Sequence, residues 1–136
     1  LFWILASTFL SDMGGYIFGK IFKGKKLTKI SPNKTYSGAY GSIILSCTSL
    51  PLINTLQIYF FSKLIVNFFE LKFLIVTVLI SLVCQLGDLY VSFLKRKINI
   101  KHISNILPGH GGILDRIDGL IFVLIFCFLL RTIKVI

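Results

Sequence analysis

The sequence predicts an all-α protein, a polytopic bundle of transmembrane helices. Of its 136 residues, 55% are hydrophobic and only 15% are charged, whereas about a quarter of a typical soluble domain is charged. The mean hydropathy is +0.87, and the apolar residues lie in long blocks. A helix needs about 20 apolar residues to cross a bilayer. We therefore expect residues 1–136 to form a single membrane-embedded unit.

Apolar and polar segments alternate along the chain. The first apolar block, Leu1–Leu10, reads as the end of a span that begins before the given sequence. Ser11–Thr35 follows as a basic loop or interfacial segment. Tyr36–Ser62 is uncharged and predicts a span, with a kink or break expected at Pro51 because proline removes a backbone donor.

The second half of the chain continues this alternation. Phe73–Leu94 predicts a second span, and Lys95–Leu114 predicts a polar loop containing glycines. A last helix is expected from near Gly112, with its apolar part beginning at Gly119. The sequence thus predicts helices throughout and places most of the charge in two basic loops.

The distribution of lysine and arginine predicts the topology. Both loops are basic, while the connection between the two spans carries only Lys63 and Lys72 as cations. Cytoplasmic loops of membrane proteins are enriched in these residues, so both loops are predicted to face the cytoplasm. We attribute the net charge of +10 to anionic lipid headgroups and phosphate ligands, and we expect no nucleic-acid partner.

A carboxylate lies near the end of the second predicted span. On a helix, Asp88, Ser92 and Lys95 are spaced i, i+4, i+7 and share one face, with Arg96 beside it. Charges at membrane depth are costly and usually functional. The alternative interpretation is a salt bridge between Asp88 and its basic neighbours on the same helix.

Two further carboxylates begin the last helix. Asp115 and Asp118 are spaced i, i+3 and would repel each other without a cation between them. Mg²⁺ is commonly held by one or two carboxylates together with substrate phosphates. The alternative is that Arg116 neutralises one of them.

Two loops are candidate phosphate contacts. The glycines around His110 would let the backbone approach an anion closely, and the alternative is a re-entrant turn without a ligand. The earlier loop contains Lys34, and its alternative is an ordinary loop. The candidates are Ser31, Lys34 and Thr35 in the first loop, and Gly109, His110, Gly111 and Gly112 in the second.

Taken together, these motifs resemble the phosphatidate cytidylyltransferase family. Its C-terminal signature, S-x-x-K-R followed by P-G-H-G-G-x-x-D-R-x-D, is similar to residues 92–118 of this chain. Further elements of the family resemble Gly87-Asp88, Asp12 to Gly19, and Ser31-Pro32 with Lys34-Thr35. The family has Asp after the lysine that matches Lys101, where this chain has His102. This departure puts metal preference or efficiency in question.

The resemblance implies an enzyme with catalytic loops facing the cytoplasm. The implied reaction transfers a cytidylyl group from CTP to phosphatidic acid, giving CDP-diacylglycerol and pyrophosphate. The implied catalytic residues are Lys95, Arg96, Asp115, Arg116 and Asp118. The implied metal ligands are Asp88, Asp115 and Asp118. The implied phosphate-binding residues are Ser92 and Lys101, together with the candidates in the two loops described above.

The resemblance also implies Mg²⁺ as the cofactor, with a second cation left open. It implies a multi-pass protein of the bacterial inner membrane, and a homodimer is left open. Two other functions are consistent with the residues alone. One is a CTP-dependent kinase acting on a polyprenol or another lipid, and the other is a non-enzymatic transport segment.

Overall fold

The computed structural model describes residues 2–28, 34–61, 67, 70–97 and 114–133, with only the backbone described for residues 114–118. Within these ranges the protein is helical, and its extended structure is one isolated antiparallel bridge between Lys26 and Thr35. The predicted all-α class is confirmed. The helices are α1 (Phe2–Phe22), α2 (Tyr36–Cys47), α3 (Ser49–Phe61), α4 (Leu71–Lys97) and α5 (Leu114–Thr132).

Helix α1 is longer than the sequence predicted. Of the two possibilities given for Ser11–Thr35, the loop is wrong as far as Phe22, because the helix continues to that residue without a break. The position of Gly14 shows why this glycine does not end the helix. It lies so close to α2 that a Cβ placed on it would be 2.5 Å from the carbonyl oxygen of Gly41. Small residues allow such close approach of membrane helices, so this glycine is a packing residue rather than a helix terminator.

Helices α2 and α3 meet at Thr48, three residues before Pro51. Proline cannot donate to the carbonyl of residue 47, and its ring crowds that carbonyl. Helix α2 accordingly ends at Cys47, and the Thr48 amide bonds to the Leu45 carbonyl at 3.1 Å. The predicted break near Pro51 is therefore confirmed. It lies at Thr48, about one helical turn before the proline that causes it.

The predictions for the last two helices agree with the structure within a few residues. Helix α4 begins two residues before the predicted span Phe73–Leu94 and ends three basic residues after it. These cations, Lys95 to Lys97, lie at the negative end of the helix dipole. Helix α5 begins at Leu114, two residues after the expected Gly112.

The core joins helices α1, α3, α4 and α5. Its buried apolar residues are Trp3, Leu50, Val76, Ile80, Cys84, Val123 and Cys127. The Trp3 ring meets the Phe73 ring edge-on, with centroids 5.4 Å apart. Among the residues that the structure describes, two helical stretches, Tyr36–Phe61 and Leu71–Lys97, are long and apolar enough to cross a membrane.

Candidate active site

A cavity of about 800 Å³ lies among α1, α2 and α4. Ligand pockets typically measure about 300–1,000 Å³, so this volume suits a small molecule of nucleotide size. Its wall is partly apolar and partly charged. The polar residues lining it are Asp12, Lys34, Thr35, Ser42, Gln85 and Asp88, and the apolar ones include Phe9, Met13, Tyr16 and Leu27.

The cavity brings together two residues that the sequence singled out separately. Lys34 Nζ lies 3.2 Å from Asp88 Oδ2, and about a third of each side chain is exposed, 28% and 33% respectively. The pair joins the segment before α2 to the C-terminal half of α4. Asp88 therefore pairs with a distant lysine, which differs from the alternative of a salt bridge within its own helix.

Hydrogen bonds with the first part of the α1–α2 connection fix the backbone around Lys34. The Lys34 carbonyl accepts a hydrogen bond from Leu27 N at 2.7 Å, and Tyr36 N donates to the Lys25 carbonyl at 3.1 Å. Thr35 is the N-cap of α2, where its Oγ1 accepts a hydrogen bond from Gly38 N at 3.1 Å. Such a cap satisfies a free amide at the helix start. Lys34 consequently reaches the cavity from a fixed position at the positive end of α2.

Asp12 also belongs to the site, although the sequence analysis placed it only in a family motif. Its Oδ1 accepts a hydrogen bond from the Cys84 thiol at 3.4 Å. Its carboxylate lies within electrostatic range of both Asp88 and Lys34. The signal available in the sequence was its rarity, because the chain has only five acidic residues.

Gln85 is a second cavity residue that the sequence did not indicate. Its Nε2 donates to the Ala39 carbonyl and to Ser81 Oγ, both at 3.4 Å. Ser81 Oγ is also 2.8 Å from Ser11 Oγ. This polar connection links all three helices around the cavity. Neither periodicity nor charge in the sequence predicts it.

The other predicted residues of α4 lie beyond the cavity. Ser92, Lys95 and Arg96 follow Asp88 along the helix, but they do not line the cavity. Their predicted roles remain predictions. The structure thus groups Asp88 with Lys34 and Thr35 rather than with these neighbours.

Several candidates lie outside the described residues. They are Ser31, Lys101, Gly109, His110, Gly111 and Gly112, and His102 lies there as well. Asp115, Arg116 and Asp118 are described only as backbone in the first turns of α5. The next residue, Gly119, lies against Asp88, since a Cβ built on it would be 2.6 Å from Asp88 Oδ1. The start of α5 therefore lies beside the cavity carboxylate.

Asp12 and Asp88 have donor atoms suited to Mg²⁺. Both carboxylates face one cavity, and hard oxygen ligands of this kind are the ones Mg²⁺ prefers. Among the residues whose side chains are described, no three His, Cys, Asp or Glu side chains form a metal-binding group. Two carboxylates are compatible with a Mg²⁺ ion that takes its remaining ligands from substrate phosphates and water.

Comparison with known proteins identifies the class of protein. Residues 1–134 match the cytidylyltransferase family, so the chain belongs to this family. It is similar to phosphatidate cytidylyltransferases of several bacteria. It is 39% identical to that of Helicobacter pylori over 90% of this chain and 43% of the relative.

Two other relatives show similar agreement. The chain is 38% identical to the phosphatidate cytidylyltransferase of Rickettsia conorii over 88% of this chain and 52% of the relative. It is 46% identical to that of Staphylococcus haemolyticus over 85% of this chain and 42% of the relative. The chain spans about half the length of the curated relatives that it matches.

Proposed function

We propose that this chain carries the site at which a membrane enzyme transfers a cytidylyl group from CTP to phosphatidic acid. The products are CDP-diacylglycerol and pyrophosphate. The observation that carries the proposal is the pairing of Lys34 with Asp88 in a cavity of nucleotide size. Family membership and the names of the relatives support the same reaction. On this proposal, residues 1–136 act as one membrane-embedded cytidylyltransferase unit.

The reaction depends on positioning charged groups. The phosphate of phosphatidic acid attacks the α-phosphorus of CTP, and pyrophosphate leaves with the negative charge. Fixed cations aimed at developing charge lower such barriers most. Lys34 is the described cation nearest to this role, since its ammonium group lies in the cavity. Lys95, Arg96 and Arg116 are proposed to offset the charge on the lipid phosphate and the leaving group.

Lys34 also needs its partner. A lone ammonium group in a partly buried site loses hydration that an adjacent carboxylate replaces. Asp88 supplies this carboxylate, with its Oδ2 3.2 Å from Lys34 Nζ. Arriving phosphate oxygens then compete with Asp88 for the ammonium group. This competition makes Lys34 a contact for substrate rather than a purely structural cation.

We propose Mg²⁺ as the cofactor, held by Asp88 with Asp115 and Asp118, and with Asp12 facing the same cavity. When bound, the metal would neutralise phosphate charge and polarise the α-phosphoryl group. A second cation remains part of the proposal because Asp12 adds a further carboxylate. The lipid substrate places the site at headgroup depth, next to the basic end of α4.

The proposed setting is a polytopic bundle in the bacterial inner membrane with its active site facing the cytoplasm. The two apolar helical stretches support membrane insertion. The basic residues before α2 and at the end of α4 support the orientation. CTP then reaches the cavity from the cytosol and phosphatidic acid from the bilayer. A homodimer remains a separate proposal.

The decisive experiment uses the full-length protein in liposomes with phosphatidic acid, Mg²⁺ and CTP labelled at the α-phosphate. The proposal expects label in CDP-diacylglycerol and release of unlabelled pyrophosphate. A lipid kinase would transfer only the γ-phosphate and leave the label in CDP. A transport segment would yield no labelled product and would instead conduct a solute.

Two variants extend this experiment. Asp118→Asn is expected to insert and fold normally while losing turnover by about 10²–10³-fold, as for removal of one group that stabilises the transition state. Full activity would remove Asp118 from the metal site. His102→Asp restores the family residue. Product from wild type shows that His102 is tolerated, whereas product from the variant alone shows that it disables the site.

A further inference from the structure

The orientation of the Gln85 side chain is fixed by its neighbours. Its amide faces the Ala39 carbonyl, which can only accept hydrogen bonds, so the group directed at it must be the NH₂. The second NH₂ contact is Ser81 Oγ. Both contacts measure 3.4 Å, which is long for an N–H···O bond. They orient the amide more than they stabilise the fold.

With its NH₂ hydrogens directed at Ala39 and Ser81, Gln85 has its carbonyl oxygen Oε1 left to accept a hydrogen bond from a ligand. Gln85 lines the cavity, and no donor to its Oε1 is found among the described residues. It precedes Asp88 by three positions on α4, so the two side chains lie on neighbouring positions of one helical face. A directed acceptor thus lies one turn from the ion pair that we propose binds phosphate.

Two other residues of the cavity wall also offer hydrogen-bond acceptors. Ser42 Oγ donates its hydrogen to the Gly38 carbonyl at 3.0 Å, which leaves only lone pairs toward the cavity. Asp12 contributes a carboxylate on the facing helix. A ligand complementary to this part of the wall presents N–H groups. A ligand with a carbonyl oxygen at the same place would meet acceptor against acceptor.

We propose that Gln85 determines nucleotide specificity, with its Oε1 accepting a hydrogen bond from the 4-amino group of cytosine. The inference rests on the proposed function, because it takes the nucleotide substrate from there. Cytosine presents an N4 amino donor where a uracil ring presents an oxygen. The contacts with Ala39 and Ser81 favour the orientation in which the NH₂ faces these two residues and Oε1 is left for the base. Gln85 would then accept CTP and reject UTP.

A purely structural role makes a different prediction. If Gln85 only connects α4 to α2, its loss weakens the protein and lowers activity with every nucleotide by the same factor. A role in specificity changes the ratio between nucleotides. The ratio of kcat/KM values for CTP and UTP therefore separates the two roles, because it cancels the amount of folded protein.

The experiment compares Gln85→Met with wild type in the full-length protein in liposomes. Methionine keeps an unbranched chain of similar length without the acceptor. Three nucleotides are used: CTP, UTP and the pyrimidinone nucleotide that lacks the 4-amino group. Wild type should prefer CTP to each of the others by about 100-fold or more, as expected for a site built around one donor group. In Gln85→Met both preferences should fall by about tenfold or more.

A matched control is Gln57→Met, which changes the same side chain on α3, outside the cavity. It should leave both preferences unchanged. If Gln85→Met does not accumulate, Ser81→Ala removes one of the two contacts that orient the amide. It should lower the preference for CTP by about threefold, less than loss of the acceptor itself.

Three results would overturn the proposal. One is a wild-type enzyme that uses UTP or the pyrimidinone nucleotide as well as CTP. Another is a preference for CTP that is as large in Gln85→Met as in wild type, or as large in Ser81→Ala where that variant replaces it. The third, absence of any labelled lipid from wild type with CTP, refutes the proposed function itself. The first two results refute the role of Gln85 in specificity but leave the proposed transfer reaction intact.

Discussion

Helices α1 and α2 meet through small residues, whereas the end of α3 is covered with large apolar ones. A Cβ on Gly38 would lie 2.7 Å from the carbonyl oxygen of Gly15, and one on Gly41 would overlap the Phe18 ring. On α3, by contrast, Tyr59, Phe60 and Phe61 are 81%, 70% and 61% exposed. The residues that make these contacts, Gly15, Phe18, Gly38 and Gly41, are uncharged, as is the end of α3, so charge does not distinguish the two regions.

The contrast shows what holds helices together in this protein. Lipid tails are as apolar as leucine, so apolar surface alone does not drive helices together in a bilayer. Close approach through glycine and serine does. The cavity lies on the side where helices approach closely, because Thr35 and Lys34 directly precede the glycine-packed turn of α2. The end of α3 contributes no residue to the cavity.

The largest effect is expected in the closely packed region, when the Asp88 carboxylate in the cavity is neutralised. Asp88→Asn removes the partner of Lys34, 3.2 Å away, and one proposed metal ligand. Turnover should fall by about 10²–10³-fold, measured as CDP-diacylglycerol formed per inserted protein. The matched control is Glu70→Gln, an exposed carboxylate just before α4, which should stay within about twofold of wild type. Normal turnover in Asp88→Asn would contradict the proposed site.

The packed region itself can be broken with one methyl group. A Cβ at Gly14 would lie 2.5 Å from the Gly41 carbonyl oxygen and 2.9 Å from the Gly41 carbonyl carbon. These are backbone atoms, so the contact can be relieved only by moving the backbone of α1 or α2. Gly14→Ala should therefore lose about 1–3 kcal/mol of unfolding free energy, as for other overpacked contacts. Denaturation in mixed detergent measures this loss.

Gly15→Ala is the matched control for that measurement. Its Cβ would mainly meet Ser42 Oγ at 2.8 Å, and the nearest backbone atom lies 3.9 Å away. A serine hydroxyl can rotate, so the loss should be smaller than at Gly14. Equal losses at the two positions would show that the α1–α2 contact is not set by backbone proximity.

Much of this fold could be predicted from the sequence because uncharged blocks fix where membrane helices lie. Helix α4 and the break near Pro51 follow from composition and from the missing proline donor. The continuation of α1 to Phe22 did not follow. Glycines that indicate turns in soluble proteins serve here as contacts between helices, and only the partner helix reveals which role applies.

The site, too, has a part that could be predicted from the sequence and a part that could not. Asp88 could be identified because carboxylates are scarce in this chain and charges are costly at membrane depth, and Lys34 because its loop resembles a motif of the family. Their pairing across 54 positions could not, since it depends on how α2 and α4 lie together. Gln85 gave no signal at all. An uncharged amide in an apolar helix becomes informative only when Ala39 is seen to fix its orientation.

Removing the cavity lysine should have a more moderate effect. Lys34→Met deletes a charged contact to phosphate, and such contacts contribute about 1.5–3 kcal/mol. The apparent KM for CTP or phosphatidic acid should rise by about tenfold or more, with a smaller change in kcat. Lys25→Met is the control, since this exposed lysine lies in the same segment but outside the cavity. A fall in protein abundance alone would make the segment structural.

The smallest effect is expected where the comparison began, on the exposed face of α3. Tyr59 is 81% exposed, and its ring meets Phe60 edge-on with centroids 5.3 Å apart. Tyr59→Leu keeps the face apolar and removes little packing, so stability should stay within about 0.5 kcal/mol of wild type. The same denaturation in detergent measures it beside Gly14→Ala. A loss above about 1 kcal/mol, comparable to overpacking at Gly14, would mean that a further segment or a second copy covers this face. The contrast between a packed and an exposed region would then fail.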